Sequence, residues 1–221
     1  MDNKDVHSRV KKDFNDFFVS SGFIRQSSSL WIKTENELIQ IISLYFSYGQ
    51  EEFNFDIAVQ PFCIPSENIC LNISQRLSRF DRRSIVRYWG NYDEEKLIDD
   101  ITDAENVFTQ NVFPWFEKMC DSNSLIRFLS SPEAGRSFHI SPFAKSEFLA
   151  WLFFYNHNFI RARLNAEKFI SMSERHNDEN TKKTVNLMKE MIILSKTNTK
   201  ELDNFFQNII RDNLNMWKLK Q

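Results

Sequence analysis

Five arginines fall within twelve residues, Arg76, Arg79, Arg82, Arg83 and Arg87, and the last runs directly into Tyr88 and Trp89. Guanidinium forks bind carboxylate and phosphate bidentately and stack on aromatic rings, so this spacing could grip an anion or an acidic partner protein. Interleaved aromatics would also suit single-stranded nucleic acid. A structural use competes with both. Asp93, Glu94, Glu95, Asp99, Asp100 and Asp103 follow close behind and could pair with the arginines instead. The segment from Arg76 to Trp89 is the candidate binding site, and no catalytic residue can be assigned.

Other chemistries find less support. His7, His139, His157 and His176 are isolated, with no HExxH and no His–Cys pairing at ligand spacing, so no metal site is expected. Asp100 and Asp103 share a helical face, a pattern that a solvated face also explains. The four glycines, Gly22, Gly49, Gly90 and Gly135, are scattered, whereas phosphate-cradling loops need clustered ones; no nucleotide cofactor is expected. No GxSxG elbow occurs. Cys63 or Cys120 could serve as a nucleophile only if a base assembled beside it in space. Trp31, Tyr45, Tyr48, Trp89, Trp115 and Trp151 read as core or as the lining of a groove on a sheet face.

The elements that must position these residues follow from periodicity. Val6, Val10, Phe14, Phe17 and Phe18 recur at helical spacing, and Gly22 after Ser20-Ser21 is a natural stop. The period then changes. Leu30 to Lys33 reads as a short strand, and Leu38 to Ser47 as a central strand covered on both faces. Gly49-Gln50 turns the chain, after which Phe53, Phe55, Ile57 and Val59 alternate with polar or small residues. Pro61 and Pro65 bracket a loop before the alternation of Ile69, Leu71 and Ile73. From Asn91 onward the pattern is helical: Leu97, Ile101, Ala104 and Phe108 give one stripe, Pro114 restarts the helix, and Ser122 to Leu129 gives another. Ser130 to Gly135 is turn-rich. Helices are then expected at about 142–156, 158–175, 181–196 and 199–217.

A formal net charge of −2 over 221 residues disfavours strong nonspecific binding to nucleic acid or anionic membrane. The three cysteines, Cys63, Cys70 and Cys120, form no CxxC and read as reduced thiols in a cytoplasmic protein. Met1-Asp2-Asn3-Lys4-Asp5 has no apolar core, so no secretory signal is expected. The most apolar stretch, Phe148 to Tyr155, is too short to span a bilayer.

Several segments carry a resemblance. Phe17 to Arg25, Leu30-Trp31-Ile32-Lys33 and Ile39 to Leu44 resemble the opening of a bacterial family known as domain of unknown function 4304. Arg76-Leu77, Tyr88-Trp89 and Phe113-Pro114-Trp115-Phe116-Glu117 resemble later elements of that family, so the likeness covers roughly residues 6–130. It implies no activity. Leu152 to Ala162, continuing to Ala166 and Phe169, is similar to one tetratricopeptide helix pair, with Asn156 at the turn where glycine is usual.

The expected fold is α+β, with an N-terminal helix on a four-stranded antiparallel sheet, further helices and an all-helical C-terminal region. The expected domains are 1–131 and 141–221. The expected function is a non-enzymatic protein-binding module in a bacterium, of inhibitor or immunity type, with a protein partner, no cofactor and no membrane. A small enzyme without a recognisable motif and a nucleic-acid binder using residues 76–89 are the alternatives.

Overall fold

The computed structural model describes residues 1–47, 51–66, 71, 73–81, 88–136, 138–176 and 178–217. They fall into two compact units: Met1–Gln60 with Leu71–Cys120, and Pro61–Cys70 with Asp121–Gln221. The turn-rich stretch Ser130 to Gly135 lies inside the second unit.

The first unit opens with helix α1 (Asn3–Ser20), started by a capping box in which the side chains of Asp2 and Asp5 each accept from the other's backbone N–H. Its buried stripe is Val6, Val10, Phe14 and Phe18, and Gly22 ends it at φ +85°, where a side chain would be strained. A five-stranded antiparallel sheet follows in simple sequence order: β1 (Ile24–Ser27), β2 (Leu30–Glu35), β3 (Leu38–Phe46), β4 (Phe53–Pro61) and β5 (Ile73–Arg76). The α+β expectation therefore stands, with one strand more than the four expected. The extra strand is β1, whose four residues are all exposed, so it has no apolar alternation to betray it. Of the expected 69–73 strand, only Leu71 and Ile73 are described; β5 begins at Ile73, while Ile69, Cys70, Asn72, Tyr48 and the Gly49-Gln50 turn lie outside the described residues.

Strand parity sorts the sheet's faces. Lys33 pairs with Gln40, and Trp31 with Ile42, on the face toward α1, where Phe18 meets Trp31 with ring centroids 5.1 Å apart. Phe55 and Phe14 meet at 4.7 Å on the same face. Tyr45, Asp56 and Arg76 alternate onto the opposite face.

A short helix α2 (Leu77–Phe80) leads toward the bridge at Trp89, and α3 (Glu94–Val107) starts on Asp93, whose side chain accepts from the Lys96 N–H. Pro114 does not restart the helix as expected. The backbone stays helical through a π-helical turn, Phe108–Val112, into α4 (Phe113–Lys118). Proline cannot donate to the preceding turn, and the widened turn just before it absorbs the missing bond. The same insertion brings Phe108 onto Phe18, Phe55 and Phe14 at 4.8, 5.1 and 6.2 Å. Many of the chain's phenylalanines thus share one aromatic core, where each edge or offset contact adds about 0.5–1.5 kcal/mol to burial.

The second unit contains α5 (Ser122–Ser130), α6 (Pro132–Arg136), α7 (Pro142–Tyr155), α8 (Phe159–Ser173), α9 (Glu179–Thr197) and α10 (Thr199–Met216). Every residue of α7 from Phe148 to Phe154 is buried. Ala162 and Ala166 are fully buried on α8 and let the α7–α8 hairpin close tightly. The left-handed residue of its turn is His157, at φ +56°, while Asn156 stays at φ −87° and accepts from the Ser122 hydroxyl. The loop after β4 joins this unit through Asn213 of α10, whose amide donates to the Phe62 and Ile64 carbonyls at 2.8 Å each and accepts from the Ser66 N–H at 3.3 Å.

Candidate functional site

The Arg–aromatic segment divides in two. Arg76 ends β5 directly across from Asp56 on β4. Its guanidinium carbon lies 5.7 Å from the centroid of the Tyr45 ring, and one terminal nitrogen donates to the Tyr88 hydroxyl at 3.3 Å. The head group is held from two sides while the residue itself stays exposed. Arg79, on α2, is also exposed and forms no ion pair among the described residues. Arg82, Arg83 and Arg87 lie outside the described residues.

The electrostatics of the Arg76 cluster follow from partial burial. Burial pushes the Tyr45 hydroxyl up to about 12, with Arg76 opposing and Asp56 and Tyr88 adding to the rise. Burial likewise raises the Asp56 carboxyl, against the pull of Arg76. One exposed guanidinium, that of Arg76, therefore stands across from a half-buried carboxyl.

Trp89 belongs to the core. It is fully buried, exchanges both backbone hydrogen bonds with Phe53 (2.6 and 3.1 Å), and its indole N–H donates to Asp103 at 2.9 Å. The Gly90 N–H donates to Asp100 at 3.0 Å. Gly90 sits at φ +128°, and a Cβ there would run into the Glu51 carbonyl. The downstream acids are accordingly engaged elsewhere: Asp100 and Asp103 hold the Trp89-Gly90 backbone and indole, Asp93 caps α3, and Glu94 lies 3.8 Å from Arg9. Among the described residues, none forms an ion pair with Arg76 or Arg79.

The remaining candidates are dispersed. His7 stacks on Phe46 at 3.7 Å, His176 on Phe143 at 4.4 Å, and His157 lies 3.1 Å from Asp203. No group of three His, Cys, Asp or Glu residues that could hold a metal occurs among the described residues. Cys63 is buried and Cys120 half-buried, and Cys70 lies outside the described residues. No described helix is long and apolar enough to cross a membrane. In the second unit, burial alone pushes the Glu147 carboxyl up to about 7.

Asp56 is the member of the cluster that sequence reasoning missed, and Tyr45 appeared there only as one aromatic among six. Their shared parity with Arg76 becomes visible only once the register of β4 against β5 is known. No family model, no curated protein and no solved structure matches the chain.

Proposed function

We propose that the chain is a protein-binding module that uses Arg76, Arg79 and Tyr88 to hold an acidic segment of a partner protein. The observation that carries this reading is the held guanidinium of Arg76, stacked near Tyr45 and bonded to Tyr88, three residues before the exposed Arg79, which forms no ion pair among the described residues. A cation fixed in place before binding loses less side-chain entropy when a carboxylate arrives. Arg82, Arg83 and Arg87 add charge next along the sequence. An inhibitor or immunity-type role in the bacterial cytoplasm, and kinship with the family of unknown function 4304, belong to the same proposal.

The test is fluorescence anisotropy with a labelled peptide of alternating Glu, Asp and Tyr, run beside a Lys-substituted peptide and an oligothymidine of equal length. The acidic peptide should bind best, and the Arg76→Ala/Arg79→Ala double variant should weaken it by about tenfold or more. Arg76→Lys should restore only part of the loss, because a point charge replaces a fork. An unchanged affinity in the double variant would overturn the proposal, and tighter binding of oligothymidine at equal salt would replace it with nucleic-acid recognition.

A further inference from the structure

A second region of the first unit has the makings of a small-molecule site. A half-open cavity of about 480 Å³ lies on the α1 side of the sheet, within the roughly 300–1,000 Å³ range of small-molecule pockets. Phe23, Phe113 and Phe116 form its apolar wall, with Phe23 lying 6.0 Å from Phe113 and 5.9 Å from Phe116. Glu35 and Glu117 stand at the cavity, and neither forms an ion pair among the described residues. Gln40 is only 4% exposed, and its side-chain nitrogen donates to the Phe116 carbonyl at 3.4 Å.

The backbone adds to the same sign. Ser21 is the C-cap of α1, and Phe116, Glu117 and Cys120 lie at or just beyond the last turn of α4. Two helix C-termini, each the negative end of its dipole, therefore meet here. Two carboxylates against one Lys33 leave the lining with a net negative charge. Lys33 itself shows how a cation is received: its ammonium lies 5.9 Å from the Phe23 ring centroid, the arrangement of a cation over an aromatic face. The lining offers no metal-binding group of three His, Cys, Asp or Glu residues, and its aromatic wall favours a cation with an apolar body.

We propose that this cavity binds a small organic cation, a protonated amine on an aromatic or alkyl body, whose charge competes with the Lys33 ammonium for the ring of Phe23 and pairs with the carboxylates of Glu35 and Glu117. The body lies against Phe23, Phe113 and Phe116, and an amine N–H donates to the Gln40 oxygen.

NMR-detected titration of the full chain at neutral pH tests this with three probes of one shape: 2-phenylethylamine, 2-phenylethanol and phenylacetate. The amine should saturate with a Kd on the order of 1 mM, with the alcohol and the acid weaker by about tenfold or more. Lys33→Met should tighten the amine by roughly 3- to 10-fold, because the competing cation is gone. Glu35→Gln with Glu117→Gln should weaken it about tenfold. Arg76→Ala/Arg79→Ala should leave it unchanged, so this site and the acidic-peptide site stand or fall separately. Phenylacetate binding as tightly as the amine, loss of binding in Lys33→Met, full affinity in the double Glu variant, or no saturation by about 10 mM amine would each overturn the assignment.

Discussion

In the first unit, the polar groups that go inside around Trp89 arrive with partners. The indole N–H meets Asp103, the Gly90 amide meets Asp100, and the bridge to Phe53 uses both backbone groups of Trp89. In the second unit Asn213 is satisfied just as fully by three backbone groups, but Glu147, eight residues from the end of α7, is largely buried with no ion pair among the described residues. A partnered polar group fixes geometry at modest cost, whereas an unpartnered carboxyl makes stability depend on pH. The two units should therefore respond differently to the same kind of perturbation.

The largest expected effect is on the partnered side. Trp89→Ala removes a fully buried indole and its hydrogen bond to Asp103, and should destabilise the first unit by about 3–5 kcal/mol in urea unfolding. A cost below about 1 kcal/mol would move Trp89 out of the core and return it to the list of surface candidates.

Glu147→Gln sharpens the contrast from the other side. The folded carboxyl is raised from 4.5 to about 7 by burial, so between those values the folded chain holds a proton that the unfolded chain has released. Stability of the second unit should then fall as pH rises from about 4.5 to about 7. The glutamine variant removes that slope. It should be more stable than the parent by roughly 2–3 kcal/mol above pH 8 and indistinguishable from it near pH 4, read by urea unfolding at the two pH values. Equal stability of variant and parent at high pH would mean that the carboxyl is solvated after all.

How far these features were legible in the sequence depends on the range of the interaction that makes them. The α1 stripe, the both-sided apolar run of β3 and the start of α7 at 142 are written within one or two turns of chain, and each was readable. Strand β1 was not, because its residues are exposed and are held by pairing with β2 rather than by burial. The helix through Pro114 was not, because the π-helical turn that tolerates the proline has no composition of its own. The Arg–aromatic segment was readable as a candidate, but its division was hidden. Tyr88 and Trp89 are neighbours in sequence, and only the backbone bridge to Phe53 makes the second of them core while the first reaches Arg76. Lys33 opposite Gln40, a polar pair on the sheet face that also carries Trp31 and Ile42, was a signal of the cavity that periodicity arguments pass over.

The smallest effect bears most directly on the proposed docking surface. Arg76 is exposed, so Arg76→Ala should change the stability of the first unit by no more than about 0.5 kcal/mol. Its electrostatic trace should be larger than its stability cost. The guanidinium now opposes the burial that raises both Asp56 and Tyr45, so its removal should move the Asp56 carboxyl and the Tyr45 hydroxyl further up. Carbon-detected NMR titration of the Asp56 carboxyl reads the first shift, and the ultraviolet titration of tyrosinate the second. Both shifts together mean that one exposed cation is coupled to two half-buried groups on the sheet. If neither group moves, Arg76 is a solvated side chain whose position over Tyr45 has no energetic content, and the surface loses the pre-set cation on which an acidic partner would close.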